Sequence, residues 1–144
     1  MGSGKSTALG ALERLGALTL STDAVVHSLY EQQHVVDQVV DRWGAEVAPA
    51  GAVDRAALAR FAFADPQERA WLEGLIWPLV GARVAQFREG SLVHEPRPRA
   101  AVVETPLLFE AGMDGIYDAT IAVIAHEELR RQRAAARGHE AADE

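Results

Sequence analysis

A chain of 144 residues is the length of one ordinary domain, and its 49% hydrophobic and 24% charged residues exclude a disordered, fibrous or collagen-like polypeptide. The absence of cysteine excludes a disulfide scaffold, a thiolate metal site and a cysteine nucleophile, and permits a cytosolic location. A net charge of −7 with no dense basic window argues against nucleic acid as a partner, and no apolar run approaches the roughly 20 residues that span a bilayer.

In chain order, Gly4 to Leu15 carries Ala8, Leu9, Ala11, Leu12 and Leu15 at helical spacing, with Gly16 as its stop. Ala17 to Leu20 reads as a short buried strand. Ser21-Thr22-Asp23 supplies capping residues for a helix running to about Tyr30, and His34 to Trp43 forms another. Gly44 to Val53, with two glycines and a proline, reads as a loop. Asp54 to Ala64 and Asp65 to Phe87 each open on a capping acid, the second followed by Pro66 at the first helical position. Trp71, Leu72, Leu75, Ile76, Leu79 and Val80 give that long helix a wide apolar stripe, and Trp71 and Trp77 are expected in the core. Gly90 to Pro98 reads as a polar loop. Ala100 to Val103 and Ala119 to Ala125 are continuous apolar segments, as expected of parallel strands covered on both faces. Glu127 to Arg137 closes the series as an amphipathic helix. Helices alternating with short apolar strands predict an α/β layered fold, in a single domain over residues 1–144.

The chemistry begins at Gly2-Ser3-Gly4-Lys5-Ser6-Thr7, which matches the second half of the phosphate-binding pattern G-x-x-x-x-G-K-S/T. Glycines let backbone N–H groups turn toward phosphate oxygens, and the helix that follows points its positive end at the anion. Lys5 can reach the β- and γ-phosphates of ATP, and the Ser6 hydroxyl can ligand Mg²⁺. At average residue usage Gly-Lys-Ser/Thr occurs by chance in roughly 7% of chains this long, but Gly-Lys-Ser-Thr in only about a few per thousand. Lys5 is also the only lysine among 14 basic residues, which marks it for work that arginine does poorly. The pattern's first glycine would precede Met1, and the strand that feeds such a loop is missing. The chain is therefore expected to be cut at its N-terminus and, alone, to be marginally stable.

Three further groups follow strands or share a helix face. Asp23, just past a strand, reads either as a general base or holder of Mg²⁺ water, or as a helix cap. Glu104 to Glu110 follows the next strand. Its polar residues read as facing a site and Leu107, Leu108 and Phe109 as lining an apolar pocket, or else as a loop closing over core. Arg133 and Arg137, four apart on one helix face, read as a phosphate clamp or as a solvated face paired with Glu127 and Glu128. The five histidines, His27, His34, His94, His126 and His139, lack metal-ligand spacing.

These pieces together resemble the dephospho-coenzyme A kinase family nearly end to end. Gly2 to Thr7 corresponds to its phosphate loop, and Ser21-Thr22-Asp23 to its Asp-Ala-Asp signature, followed by Val25, Val26 and His27. Val53-Asp54-Arg55 through Leu58 and Phe61, then Leu72-Glu73, is similar to its substrate-side helical region. Pro106-Leu107-Leu108-Phe109-Glu110 is similar to its most characteristic run, and Arg133 and Arg137 to its lid arginines. The chain departs from the family at Ser21, where only Asp23 remains to act as base, at Trp77-Pro78 in place of His-Pro, and at Glu144, where the family continues.

The resemblance implies a three-layer parallel sheet of the phosphate-loop kinase type with a helical substrate and lid region, its first strand absent from this chain. It implies a cytoplasmic transferase that moves the γ-phosphate of ATP, with Mg²⁺, to the ribose 3′-hydroxyl of dephospho-coenzyme A, the last step of coenzyme A synthesis. Lys5, Asp23, Arg133 and Arg137 would be catalytic, Gly2 to Thr7 would bind the nucleotide, and Asp23 with Pro106 to Glu110 would bind substrate. The partner is then a small molecule, with no nucleic acid and no membrane. The competing readings are another phosphate-loop kinase, for a nucleoside or small acid, and a non-catalytic nucleotide-binding remnant.

Overall fold

A computed structural model of the chain describes residues 2–106, 108, 109 and 112–136. Helix α1 (Lys5–Arg14) leads into strand β1 (Leu18–Ser21), followed by helices α2 (Thr22–Leu29), α3 (Gln33–Trp43), α4 (Arg55–Ala62) and α5 (Pro66–Val93). Strand β2 (Ala101–Glu104) and helix α6 (Glu127–Ala135) complete the order, with short 3₁₀ turns at Ala45–Val47 and Asp114–Ile116. The chain divides into two compact units. One holds the residues up to Thr19 and those from Pro98 onward, and the other holds Leu20–Arg97. Among the described residues no helix is long and apolar enough to cross a membrane.

In the first unit, α1 ends where the sequence places its stop. Gly16, at φ 91°, donates to the Glu13 carbonyl (2.9 Å), and Ala17 donates to the Leu12 carbonyl (3.0 Å). This pair of bonds satisfies carbonyls that the helix end would otherwise leave open, and the positive φ requires glycine. The returning chain then pairs with the segment before β2. Arg99 donates to the Gly16 carbonyl and Leu18 to the Ala100 carbonyl, both at 2.9 Å. Both numbers rise together, so β1 and β2 run parallel in a two-stranded sheet, the α/β arrangement expected.

Two expectations fail in this unit. Both strands are only half-buried, with Ala101 exposed, rather than covered on both faces. Residues 119–125 form no strand: Ile121 and Ile124 are exposed and the backbone joins no described ladder. An apolar run becomes a strand only where a neighbour accepts its hydrogen bonds, and among the described residues the sheet contains β1 and β2 alone.

The second unit is helical. Asp54 caps α4 by accepting from the amides of Ala56 (2.8 Å) and Ala57 (3.1 Å), and Asp65 caps α5 by accepting from Gln67 (2.6 Å). Val36, Val39, Val47, Ala48 and Leu58 form one core cluster, while Val25, Leu29, Val35 and Ile76 form a second, and Tyr30, Leu72 and Leu75 pack against both. Each such Val, Leu or Ile contributes about 1.5–3 kcal/mol relative to exposure. Around them Trp43 stacks on Phe61 and meets Trp71 edge-on, with centroids 6.0 and 5.0 Å apart. Glu68 in the first turn of α5 accepts two hydrogen bonds from Arg42 (2.9 and 2.7 Å) and one from the Trp43 indole (2.7 Å), tying α3 to α5.

Helix α5 differs from its expected form in two ways. It runs six residues beyond Phe87, through what the sequence suggests is a loop, with Ser91 turned inward, 8% exposed, and donating to the Arg88 carbonyl (2.6 Å). Trp77 is not core but 43% exposed. Ile76 occupies the buried face, and the next residue is rotated about 100° around the helix. Trp71, by contrast, packs against the first core cluster as expected.

Candidate active site

Gly2 to Gly4 forms a bend that opens directly into α1, whose first turn holds Lys5, Ser6 and Thr7. Gly2 and Gly4 have φ 77° and 99°, conformations that side chains disfavour and that let successive amides face the same way. Gly4 is the N-cap of α1, so no cap side chain covers the amides of the first turn, and the first helical bond runs from Ala8 to the Gly4 carbonyl (3.0 Å). Those open amides and the positive helix end suit an anion. Ser3 and Lys5 are half-buried, while Ser6 and Thr7 are exposed. Lys5 forms no ion pair among the described residues.

Helix α6 lies against this loop. Arg133 donates from Nη1 to the Gly2 carbonyl (3.2 Å), and the same nitrogen would sit 3.7 Å from a Cβ built on Gly4. A Cβ on Gly2 would meet the Arg130 carbonyl oxygen at 2.7 Å. Sequence reasoning reads Arg133 as a phosphate clamp; the structure brings its guanidinium to the Gly2 carbonyl, a contact across 131 positions. Its alternative pairing with the helix acids is not formed: Glu127 pairs with Arg131 (2.6 Å) and Glu128 accepts from Gln132 (2.9 Å). Arg137 lies outside the described residues. Arg130 escaped sequence reasoning because its backbone, not its side chain, makes the approach.

The strand β2 ends at Glu104, which is half-buried like Thr105. Pro106 is exposed, Leu108 is half-buried and Phe109 is 65% exposed. Met113 donates to the Leu108 carbonyl and Gly112 to the Phe109 carbonyl, both at 3.0 Å. Leu107 and Glu110 lie outside the described residues.

Asp23 belongs to the helical unit. It is the second residue of α2, exposed, and is not the helix cap, because Ser21 holds that position. The helical unit also contains an open groove of about 460 Å³ lined by His34, Gln38, Trp71, Gly74, Leu75, Pro78 and Leu79, which the sequence did not signal. Leu58, Phe61 and Leu72, from the stretch similar to a substrate-side region, pack in or against the helical core. Among the described residues no group of three or more His, Asp or Glu is placed to hold a metal ion.

Comparison with known proteins gives a consistent result. The dephospho-CoA kinase family profile matches residues 1–144. The dephospho-CoA kinase of Moorella thermoacetica is 39% identical over 138 residues, covering 94% of this chain and 64% of the relative. That of Symbiobacterium thermophilum is 38% identical over 141 residues, covering 94% and 56%. The crystal structure of TT1252 from Thermus thermophilus superposes with a TM-score of 0.75 at 33% identity, covering 98% of this chain and 70% of that one. The chain thus spans about 56–64% of the length of these curated relatives.

Proposed function

Because the chain belongs to the dephospho-CoA kinase family, we propose that the intact protein transfers the γ-phosphoryl group of ATP to the ribose 3′-hydroxyl of dephospho-coenzyme A. The observation that carries this reading is the meeting of Arg133 with a glycine turn that precedes Lys5 and leaves the first turn of α1 without a side-chain cap. The fold that goes with it is a three-layer parallel sheet of the phosphate-loop kinase type, supported by the parallel β1–β2 pair and the superposition on TT1252.

In this reading the amides of Gly2 to Thr7 hold the β- and γ-phosphates and Lys5 places a mobile positive charge beside the bridging oxygens. Arg133 shifts from the Gly2 carbonyl to the phosphoryl oxygens, where a guanidinium neutralises charge as the group moves. The Ser6 hydroxyl, exposed at the first turn of α1, fits the hard-oxygen preference of Mg²⁺, which when bound neutralises phosphate charge and aligns the phosphates. Asp23 takes the proton from the 3′-hydroxyl as its oxygen bonds to phosphorus. The bond to the β-phosphate oxygen breaks, and ADP leaves with that electron pair. Pro106 to Glu110 completes the acceptor site.

The experiment is a coupled ATP assay on the intact protein with dephospho-coenzyme A beside a panel of nucleosides and small acids. Selective turnover of dephospho-coenzyme A supports the reading. Preference for another acceptor, or ATP binding without any transfer, overturns it.

A further inference from the structure

Helix α6 has no buried residue, and its side-chain bonds Arg131–Glu127 and Gln132–Glu128 stay within the helix. A hydrophobic core therefore does not fix it. Among the described residues it approaches the loop at Gly2, where the Arg130 backbone packs over the bare Cα and the Arg133 guanidinium bonds the Gly2 carbonyl, and the same guanidinium lies beside Gly4. Any Cβ at position 2 would lie 2.7, 3.1 and 3.3 Å from the Arg130 carbonyl oxygen, Cα and carbonyl carbon. All three are backbone atoms, so the overlap has no side chain that can swing away. Relief requires the helix or the loop to move.

We propose that Gly2 is a positioning residue: its bare Cα seats α6 and so holds the Arg133 guanidinium at the phosphate loop. This role is distinct from the general need for glycine in such a loop, and it rests on the phosphotransferase reading above. A displacement of about 1 Å between reacting groups can cost on the order of 100-fold in rate, so a seat this tight bears directly on transfer.

The test is a double-substitution cycle in the intact protein, reading kcat, KM for dephospho-coenzyme A and the dissociation constant of ATP. Gly2→Ala should lower kcat by about 10- to 100-fold with little change in KM for the acceptor. Arg133→Ala should lower it by about 100-fold or more. If Gly2 acts through Arg133, the double variant falls within about threefold of Arg133→Ala alone. If the two losses multiply, Gly2 acts only within its own loop and the proposal is overturned. Should Gly2→Ala fail to fold, hydrogen exchange along α6 in Arg133→Ala decides instead: unchanged exchange at residues 127–135 shows the helix held without the guanidinium and supports the seat, and faster exchange refutes it. If the wild-type protein binds ATP but does not phosphorylate dephospho-coenzyme A, the functional reading fails separately. The same cycle in ATP affinities then decides the seat by the same criterion of non-additivity.

Discussion

Replacing Gly4 with alanine tests whether the loop's shape, rather than its composition, binds the nucleotide. Gly4 has φ 99° and ψ 20°, and a Cβ there would meet the Arg133 Nη1 at 3.7 Å, an ordinary contact. Overlap is therefore not the problem, and the cost lies in the backbone: about 1–2 kcal/mol for holding a non-glycine residue on the left-handed side. If the loop must keep that conformation to aim its amides, this cost appears as about 5- to 30-fold weaker ATP binding. Gly10→Ala is the control. Gly10 lies within α1, where a Cβ would meet Arg14 Nη1 at 3.7 Å, and alanine is favoured there by about 0.5–1 kcal/mol. That variant should bind ATP normally and melt slightly higher. Calorimetric titration with a non-hydrolysable ATP analogue measures both affinities. Equal binding by Gly4→Ala and wild type would refute the reasoning, because the loop's φ would then be irrelevant to its ligand.

Other substitutions separate chemistry from stability. Asp23→Asn should keep ATP affinity and lose transfer by about 100-fold or more, since the amide cannot accept the proton; normal turnover in a rapid-quench assay would reduce Asp23 to an acid in the first turn of α2. Asp54→Ala removes the side chain that accepts from Ala56 and Ala57 and should destabilise the protein by about 1 kcal/mol in a denaturant titration, while an unchanged midpoint would show the cap to be idle. The hydrogen bonds from Arg42 and Trp43 hold the Glu68 carboxyl below its ordinary value of 4.5, so Glu68 stabilises the fold above that pH and loses its contribution as pH falls through its depressed pKa. Glu68→Gln should therefore melt lower than wild type at pH 7, with the gap narrowing in acid; a gap that is constant or widens toward low pH would show the ion pair to be unimportant.

What the sequence made legible was local. The caps at Asp54 and Asp65-Pro66 and the stop at Gly16 lie within a few residues of the groups they satisfy, and each forms as expected. The glycine turn and the helix behind it are legible for the same reason, because Gly2, Gly4 and the start of α1 are nearly consecutive. The misreadings come from partners distant in the chain. Residues 119–125 are apolar enough for a strand but have no described ladder to join, and nothing in the segment itself reveals this. Gly90 looks like a helix breaker, yet α5 runs past it with Ser91 on its buried side. Trp77 shares its hydrophobicity with the stripe but not its angle around the helix. The candidate site divides in the same way. Lys5 and Ser6 announce themselves by spacing, and Arg133 by its place in a family-like helix. The seat at Gly2 depends on the backbone of Arg130, more than a hundred residues away, to which composition and periodicity are blind.

The central claim is that Lys5 and the loop around it move a phosphoryl group, and single-turnover transfer from ATP to dephospho-coenzyme A by Lys5→Ala and Lys5→Arg tests it most directly. Lys5 is the only lysine in a chain that otherwise uses arginine, it is half-buried, and it forms no ion pair among the described residues. A compact ammonium that meets charge developing on the phosphoryl oxygens cannot be replaced by a methyl group, and a planar guanidinium does not fit the same position. The rate should fall by about 100-fold or more in Lys5→Ala, with Lys5→Arg recovering little of it. Transfer within about threefold of wild type in Lys5→Ala would contradict the assignment of this loop as the site of phosphoryl transfer.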